Sequence, residues 1–442
     1  MIKRLAAILF IFICTSIAWA VLGGTVMMRT NDSESHLRGR VQSVWGVPQV
    51  QTAPVAIYTV SDVSEEIQEE SGHKRVVQKH SSSVHEVPPS SSDIRAGLTL
   101  DHRRKGLLWY STYKVDFAGD YTFQNKLPEQ RAFRLTLKLP AEQAMYDDLQ
   151  FSVDGVTMPA TVTGNQAYVA VIMAPQQIVK LHAGYKSQGL DSWRYSFGEH
   201  VNTVENFHLR MTTNFDDIDF PENTLAPSDK RRIAALGPDA IPGQKGLPSE
   251  GLPNDGWLLD WNYRNLLSGY QIAMQMPAKL QPGPLASEIS FFAPVSLFFF
   301  FFVIFIIATI RDIDLHPVNY FFLAAAFFAF HLLLAYLVDH VDINAAFLIA
   351  SAVSVALVVS YLRIVVGTQF AWREAGIAQF LYLVLFSFAF FFKGYTGLAI
   401  TIGAIVTLFV VMQMTGRIRW SEKFAAGIRN PSGPPALPFE AR

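Results

Sequence analysis

From Ile289 to about Thr415 the chain is almost continuous hydrophobe, and that block admits very few folds. In hydrocarbon every backbone N–H and C=O must be satisfied within the protein, so only helices and closed barrels can cross a membrane. One helical crossing needs about 20 apolar residues. Short polar punctuation cuts the block into five segments of that size: 289–310, 317–338, 344–366, 375–392 and 396–415. A separate apolar run, residues 5–28 behind Lys3-Arg4, makes six. Composition agrees, since half of the 442 residues are apolar and only 17% are charged, where a soluble domain carries about 25%. The net charge of −1 excludes a nucleic-acid partner held by a basic field.

The first run can be read in two ways. Lys3-Arg4, an apolar stretch and Ala18-Trp19-Ala20 match a signal peptide ending in a small-x-small cleavage site. Hydrophobicity continues through Val21, Leu22, Val26, Met27 and Met28, which favours an uncleaved anchor. Cleavage would change the span count and leave the following domain in place. The single cysteine, Cys14, follows Phe12 and Ile13, too large for a lipobox. One cysteine also excludes a disulfide framework or a Cys-based zinc site.

Basic residues set the expected orientation, because cytoplasmic loops carry the excess of Lys and Arg. With the start inside, the cytoplasmic side holds Lys3, Arg4, Arg311, Arg363, Arg373 and the five basic residues of the tail, Arg417 to Arg442. The short outside loops hold only Lys393. Both termini are therefore expected inside, with the large polar segment outside. The expected division is 1–28 anchor, 29–287 extracytoplasmic domain, 288–416 five-span bundle and 417–442 basic cytoplasmic tail.

Residues 29–287 read as β-rich. Apolar and polar residues alternate in segments such as Ala53–Val60, Leu107–Phe117, Phe133–Leu139, Tyr168–Met173, Ile178–Ala183, Phe207–Phe215 and Trp257–Tyr263, as strands with one buried face require. Asp154-Gly155, Gly164-Asn165, Pro140 and Pro221 supply turns between them. The pattern predicts sandwich-like sheets, with Phe133–Pro140 and Phe207–Phe215 hinting at a duplicated unit. Ser81–Asp93 reads as an exposed loop, residues 226–255 as an irregular connection, and Gln281-Pro-Gly-Pro284 as an extended link into the second span.

This arrangement resembles the CreD family of bacterial inner-membrane proteins. The residues carrying the likeness are Leu315-His-Pro-Val-Asn-Tyr-Phe-Phe-Leu323 running on into His331-Leu-Leu-Leu-Ala-Tyr336, together with Arg103-Arg-Lys-Gly106 before the aromatic strand Trp109–Tyr113. Motif-level similarity concentrates in 289–416; residues 115–255 match in pattern only. The resemblance implies a periplasmic sheet domain and a role in envelope integrity, colicin tolerance and, in some bacteria, a stress regulon linked to β-lactam response. It implies no catalytic activity.

Candidate chemistry is sparse. His331 sits in the third span among Phe327, Phe328 and Phe330, and ionisable groups at that depth usually face a bundle interior or a wet cavity. It reads either as a proton-sensitive or substrate-contacting site or, more commonly, as a neutral imidazole bridging helices. Gln379 and Tyr382 in the fifth span, with Thr401 and Gln413 in the sixth, are its candidate partners in one intramembrane polar site. Asp339, His340 and Asp342 could ligate a divalent cation, but a solvated acidic turn explains them too, and His331 is about 12 Å further down the helix. Leu315-His316-Pro317 reads as a hairpin and capping device, with proline at the first helical position and Asp312 and Asp314 near the helix start.

Asp216, Asp217, Asp219 and Glu222 form an acidic patch without the spacing of an EF-hand. Trp109, Tyr110 and Tyr113 beside Lys114 read as a ligand platform or, more commonly, as strand packing. The phenylalanines of the second span carry bulk without specificity. Nucleophile-elbow, zincin and P-loop motifs are missing, so no catalytic residue, metal ligand or cofactor is assigned. Three functions remain. The leading expectation is a non-enzymatic envelope-integrity protein whose partners are membrane lipids and an envelope protein. The second is a transporter or lipid-handling protein with a polar site around His331; five spans in one block fit an inverted repeat poorly. The third is an outside hydrolase, whose sign would be a pocket with Ser or Asp beside His182, His200 or His208.

Overall fold

Among the described residues, six helices are long and apolar enough to cross a membrane. They are α1 (Ile2–Trp45), α2 (Pro282–Ile310), α3 (Pro317–Leu337), α4 (Ile343–Val365), α5 (Thr368–Phe391) and α6 (Thr396–Thr415). The computed structural model describes residues 2–70, 73–105, 108–198, 201–233, 256–392 and 394–416, side chains at 2, 62–70 and 73–80 excepted. The basic tail and Lys393, used above for orientation, lie outside the described residues, as do His200 and 234–255. The chain divides into two compact units, Met1–Ser35 with Leu280–Arg442, and His36–Lys279.

In the helical unit, the apolar length of α1 is tied at both ends. Arg4 pairs with Asp314 in the α2–α3 turn at 2.7 Å, and Arg29 pairs with Asp339 in the α3–α4 turn at 2.9 Å. At 1.5 Å per residue the two arginines are about 37 Å apart, which places them in the headgroup layers flanking a hydrocarbon core of about 30 Å. Between them Ser287 Oγ donates to Gly23 O at 2.9 Å, joining α2 to α1. A β-carbon at Gly283 would come within 2.1 Å of Thr30 Oγ1, so glycine is what allows the first turn of α2 to approach α1. The buried face of the unit runs through Leu297, Phe300, Ile304, Phe327, Phe330 and Leu334.

Three boundaries differ from expectation, the first two for a local reason. Pro282-Gly-Pro284 is the first turn of α2 rather than an extended link, because proline at the first helical positions gives up no bonded donor. The first helix runs past Met28 to Trp45. Leu37, Val41 and Trp45 recur at intervals of four and pack on Leu108, Tyr110 and Leu190, an apolar stripe of helical period. In α5 the α-helical ladder is interrupted by π turns at Ala371–Gly376 and Phe380–Leu385, and the helix starts seven residues earlier than the expected 375.

The sheet unit is built from β1 (Gln49–Thr52), β2 (Val55–Glu70), β3 (His73–Val87), β4 (Ser91–Leu100), β5 (Arg103–Lys105) and β6 (Leu108–Tyr110). There follow β7 (Thr112–Gln124), β8 (Arg131–Lys138), β9 (Tyr146–Val153), β10 (Val156–Thr157), β11 (Thr161–Thr163) and β12 (Gln166–Met173). The last are β13 (Ile178–Leu190), β14 (Ser192–Ser196), β15 (Asn202–Thr213), β16 (Asp229–Arg232), β17 (Trp257–Ser268) and β18 (Ile272–Gln275). An eight-stranded sheet runs β10-β9-β13-β7-β4-β15-β17-β16, a five-stranded one β11-β12-β8-β2-β3, and a three-stranded one β1-β14-β18. All three contribute to one core, with Phe117, Leu181 and Leu209 from the first, Leu135 and Val169 from the second, and Trp193 and Met274 from the third. The fold is therefore a membrane helix bundle carrying a large sandwich-like β unit.

The turns fall where their residues require. Asp154 (φ 50°) and Gly155 (φ 81°) join β9 to β10, and Gly164 (φ 60°) joins β11 to β12, the left-handed conformations of tight hairpins. Ser81–Asp93 is not a loop: Ser81–Val87 belongs to β3, paired with β2, and β4 starts at Ser91. Its side chains at 81–86 are exposed, and an exposed strand shows no apolar alternation to reveal it. Within the expected irregular connection, Asp229–Arg232 forms β16 against β17. Phe133–Pro140 and Phe207–Phe215 occupy unlike places, since β8 lies between two antiparallel neighbours while β15 has β4 parallel on one side.

Candidate functional site

Within the helices, the five residues expected to share one polar site fall into separate contacts. His331 is buried, and its Nδ1 bonds Phe327 O one turn earlier at 2.9 Å. Trp19 and Phe330 meet its ring edge-on, at centroid distances of 5.3 and 4.9 Å. Gln379 is fully buried and donates from Nε2 to Ser354 Oγ at 2.9 Å; that hydroxyl donates to Ala326 O at 2.7 Å. Gln379 Oε1 has no partner among the described residues. The Tyr382 hydroxyl meets Thr407 Oγ1 at 2.9 Å. Gln413 and Thr401 are exposed on α6, the latter bonding back to Gly397 O.

The two turn motifs do structural work. His316 is the N-cap of α3, with Nδ1 accepting from Val318 N at 3.3 Å, Pro317 at the first helical position and Leu315 fully buried beneath. Asp342 caps α4 by accepting from Asn344 N at 2.9 Å, and Asp339 is held by Arg29. Neither these residues nor any other three described His, Cys, Asp or Glu side chains form a group able to hold a metal ion.

Sequence reasoning named His182 and His208 only as places to look for a hydrolase pocket, and missed the row they belong to, the most organised polar feature, which lies on the sheet unit. Straight across the eight-stranded sheet, in register, run Ser152 (β9), His182 (β13), Asp120 (β7), Asp93 (β4), His208 (β15) and Asn262 (β17). Directly paired residues share a face, so the six form one row. His182 Nδ1 lies 2.7 Å from Asp120 Oδ1. His208 lies between two carboxylates, with Nδ1 2.9 Å from Asp93 Oδ1 and Nε2 3.1 Å from Asp260 Oδ1. Arg210 Nε also donates to Asp260 at 3.3 Å, and Arg95 lies 3.6 Å from Asp120.

Ser152, His182 and Asp120 have the residue types of a hydrolase triad without its geometry. A β-carbon on Gly184 would lie 3.7 Å from His182 Nε2, so the ring extends along β13 rather than across to Ser152 on β9. Further along the same face, where Gly97 reduces the relief, a dent of about 380 Å³ is edged by Lys114, Asp116, Asp147 and Lys186. Hydrogen bonds from Gln150 and Lys186 hold Asp148 below its usual range, and Asp148 in turn raises Lys186. The alternation of strands β4, β7 and β13 could have located this face, but no single strand names its lateral neighbours.

The flagged aromatics divide. Tyr113 and Tyr110 are buried, and Tyr113 donates to Ser192 O at 2.8 Å. Trp109 lies under the ammonium of Lys279 at 4.0 Å. Of the acidic patch, Asp216 pairs with Arg232 at 2.8 Å.

Six apolar helices with a large β unit between the first and second define a polytopic membrane protein. The sequence model described as inner membrane protein CreD matches residues 1–178 and 290–421. The chain belongs to the CreD family of inner-membrane proteins. No curated protein sequence matches it. Among solved structures, a protein described as nutrient-binding from Legionella pneumophila is 12% identical at a TM-score of 0.25, with 48% of this chain and 73% of that one covered. An M1 zinc metallopeptidase from Deinococcus radiodurans is 10% identical at a TM-score of 0.26, with 42% of each chain covered. Likenesses of that size carry no inference about fold or activity.

Proposed function

We propose that this chain is a non-enzymatic protein of the bacterial inner membrane that supports envelope integrity through its sheet unit. In this reading the sheet unit is periplasmic, both termini are cytoplasmic, and the outer face of the eight-stranded sheet docks an envelope protein. The observation that carries the reading is the in-register row from Ser152 to Asn262. It is a broad, partly exposed face whose charges of both signs are already held in place by one another. Pre-positioned charge favours selective, steered encounter with a complementary protein surface. The basic residues at the cytoplasmic span ends support the orientation.

The test is complementation of a deletion strain under detergent or β-lactam stress. Wild type and His331→Ala are expected to restore survival. A form lacking residues 30–280 and the charge-reversed pair Asp93→Lys with Asp120→Lys are expected to fail although inserted. Full rescue by the charge-reversed pair would remove the docking face from the account, and failure of an inserted His331→Ala would move the function into the bundle. Orientation is read separately: in a Cys14→Ser background, Gln130→Cys should react with an impermeant maleimide added to intact spheroplasts.

A further inference from the structure

Between α2, α5 and α6 lies a groove of about 730 Å³, within the range of ligand sites generally. Its walls are apolar, including Phe299, Val303, Leu381 and Val410, and its α6 side runs from Ala399 to Met414. At 1.5 Å per residue that is about 22 Å, longer than half of a 30 Å hydrocarbon core. Partway along, the Tyr382 hydroxyl donates to Thr407 Oγ1, which donates to Gly403 O, so the groove offers a chain no unpaired hydroxyl there.

One end differs. Arg373 and Glu374 line it, both within the first π turn of α5, and such turns are frequent at functional sites. The Glu374 charge is met by Arg311, to which its Oε1 is bonded. Its Oε2 is buried without a partner among the described residues. Arg373 is exposed and belongs to none of the ion pairs formed among the described residues. The mouth therefore keeps one positive charge, that of Arg373. A phosphate suits that mouth and a hydrocarbon chain suits the groove behind it.

We infer that this groove binds one anionic phospholipid, with its phosphate at Arg373 and an acyl chain laid between α5 and α6. The site is separate from His331 and independent of the docking face on the sheet unit. Charge is what should distinguish the bound lipid from bulk lipid that merely touches the spans.

The probe is a phosphatidylglycerol carrying a photoreactive diazirine in one acyl chain, irradiated with the purified full-length protein in detergent micelles. Adducts are expected on residues 381–385 and 403–410, competed by unlabelled phosphatidylglycerol and poorly by phosphatidylcholine. Arg373→Gln should lower labelling about fivefold, the factor set by one basic side chain at an anionic lipid surface. Gly403→Phe should fill the groove and abolish labelling. If that variant does not assemble, Arg373→Gln, at the exposed mouth, carries the test. Equal competition by phosphatidylcholine, labelling unchanged in Arg373→Gln, or adducts spread over the lipid-facing sides of α3 and α4 would each overturn the inference.

Discussion

Replacing Ser354 by alanine should destabilise the helical unit more than replacing the larger Gln379 by leucine. Ser354 Oγ takes the Gln379 amide proton at 2.9 Å and gives its own proton to Ala326 O at 2.7 Å, so one hydroxyl joins α3, α4 and α5. An inter-helix hydrogen bond in a membrane contributes about 0.6 kcal/mol on average and up to about 1.7. Ser354→Ala also strands the Gln379 amide in a fully buried place, and a stranded buried group costs about 1–3 kcal/mol. Because unfolded states in a membrane find other partners, the lower part of that range applies, and about 1–2 kcal/mol is expected for Ser354→Ala. Gln379→Leu removes an amide whose Oε1 is already without a partner among the described residues, and should cost less than about 0.5 kcal/mol, since replacing polar partners by apolar groups of similar shape is nearly neutral. The double variant should then cost little more than Gln379→Leu alone, a coupling of about 1 kcal/mol. Unfolding of the full-length protein in mixed dodecyl maltoside and SDS micelles, followed by circular dichroism, gives all four free energies. Additivity within about 0.3 kcal/mol would refute the relay. A larger cost for Gln379→Leu than for Ser354→Ala would mean that Oε1 has a partner worth keeping.

Two further outcomes are expected. Burial holds the phenols of Tyr113, Tyr121, Tyr185 and Tyr195 above their ordinary range. Unfolded phenols ionise above about pH 10 while the folded ones stay protonated, so the unfolded state binds fewer protons there. Stability is intact below pH 10 and falls above it, by about 1.4 kcal/mol per pH unit for each tyrosine. Thermal melts from pH 8 to 12 should show a shallower slope in Tyr121→Phe than in wild type, and a flat wild-type profile would contradict the burial argument. Separately, Gly283→Val should push α2 away from Thr30 and lower the yield of monodisperse protein, whereas Gly24→Val, where a β-carbon meets nothing within 4 Å, should not. Equal behaviour of the two would show that the α1–α2 approach does not depend on glycine.

The elements of this protein are written locally. Length and hydrophobicity mark the six spans, and for Thr396–Thr415 even the ends agree, because leaving hydrocarbon is a local event in the chain. Alternation in Phe133–Leu139 and glycine at 155 and 164 reveal strand and turn for the same reason. His316 and Pro317 are legible as a cap, since capping involves only near neighbours in sequence. What lies beside what is another matter. The row Ser152, His182, Asp120, Asp93, His208 and Asn262 draws on strands spread over more than a hundred residues, and sheet order alone brings them together. The expected partnership of His331 with Gln379, Tyr382 and Gln413 depended on helix rotation, which spans that are apolar all round do not encode. The groove between α5 and α6 depends in turn on how closely helices approach, which packing of side chains from distant segments decides. Local free energy of transfer and turn conformation therefore determined which elements form, and only their assembly decided which polar groups meet.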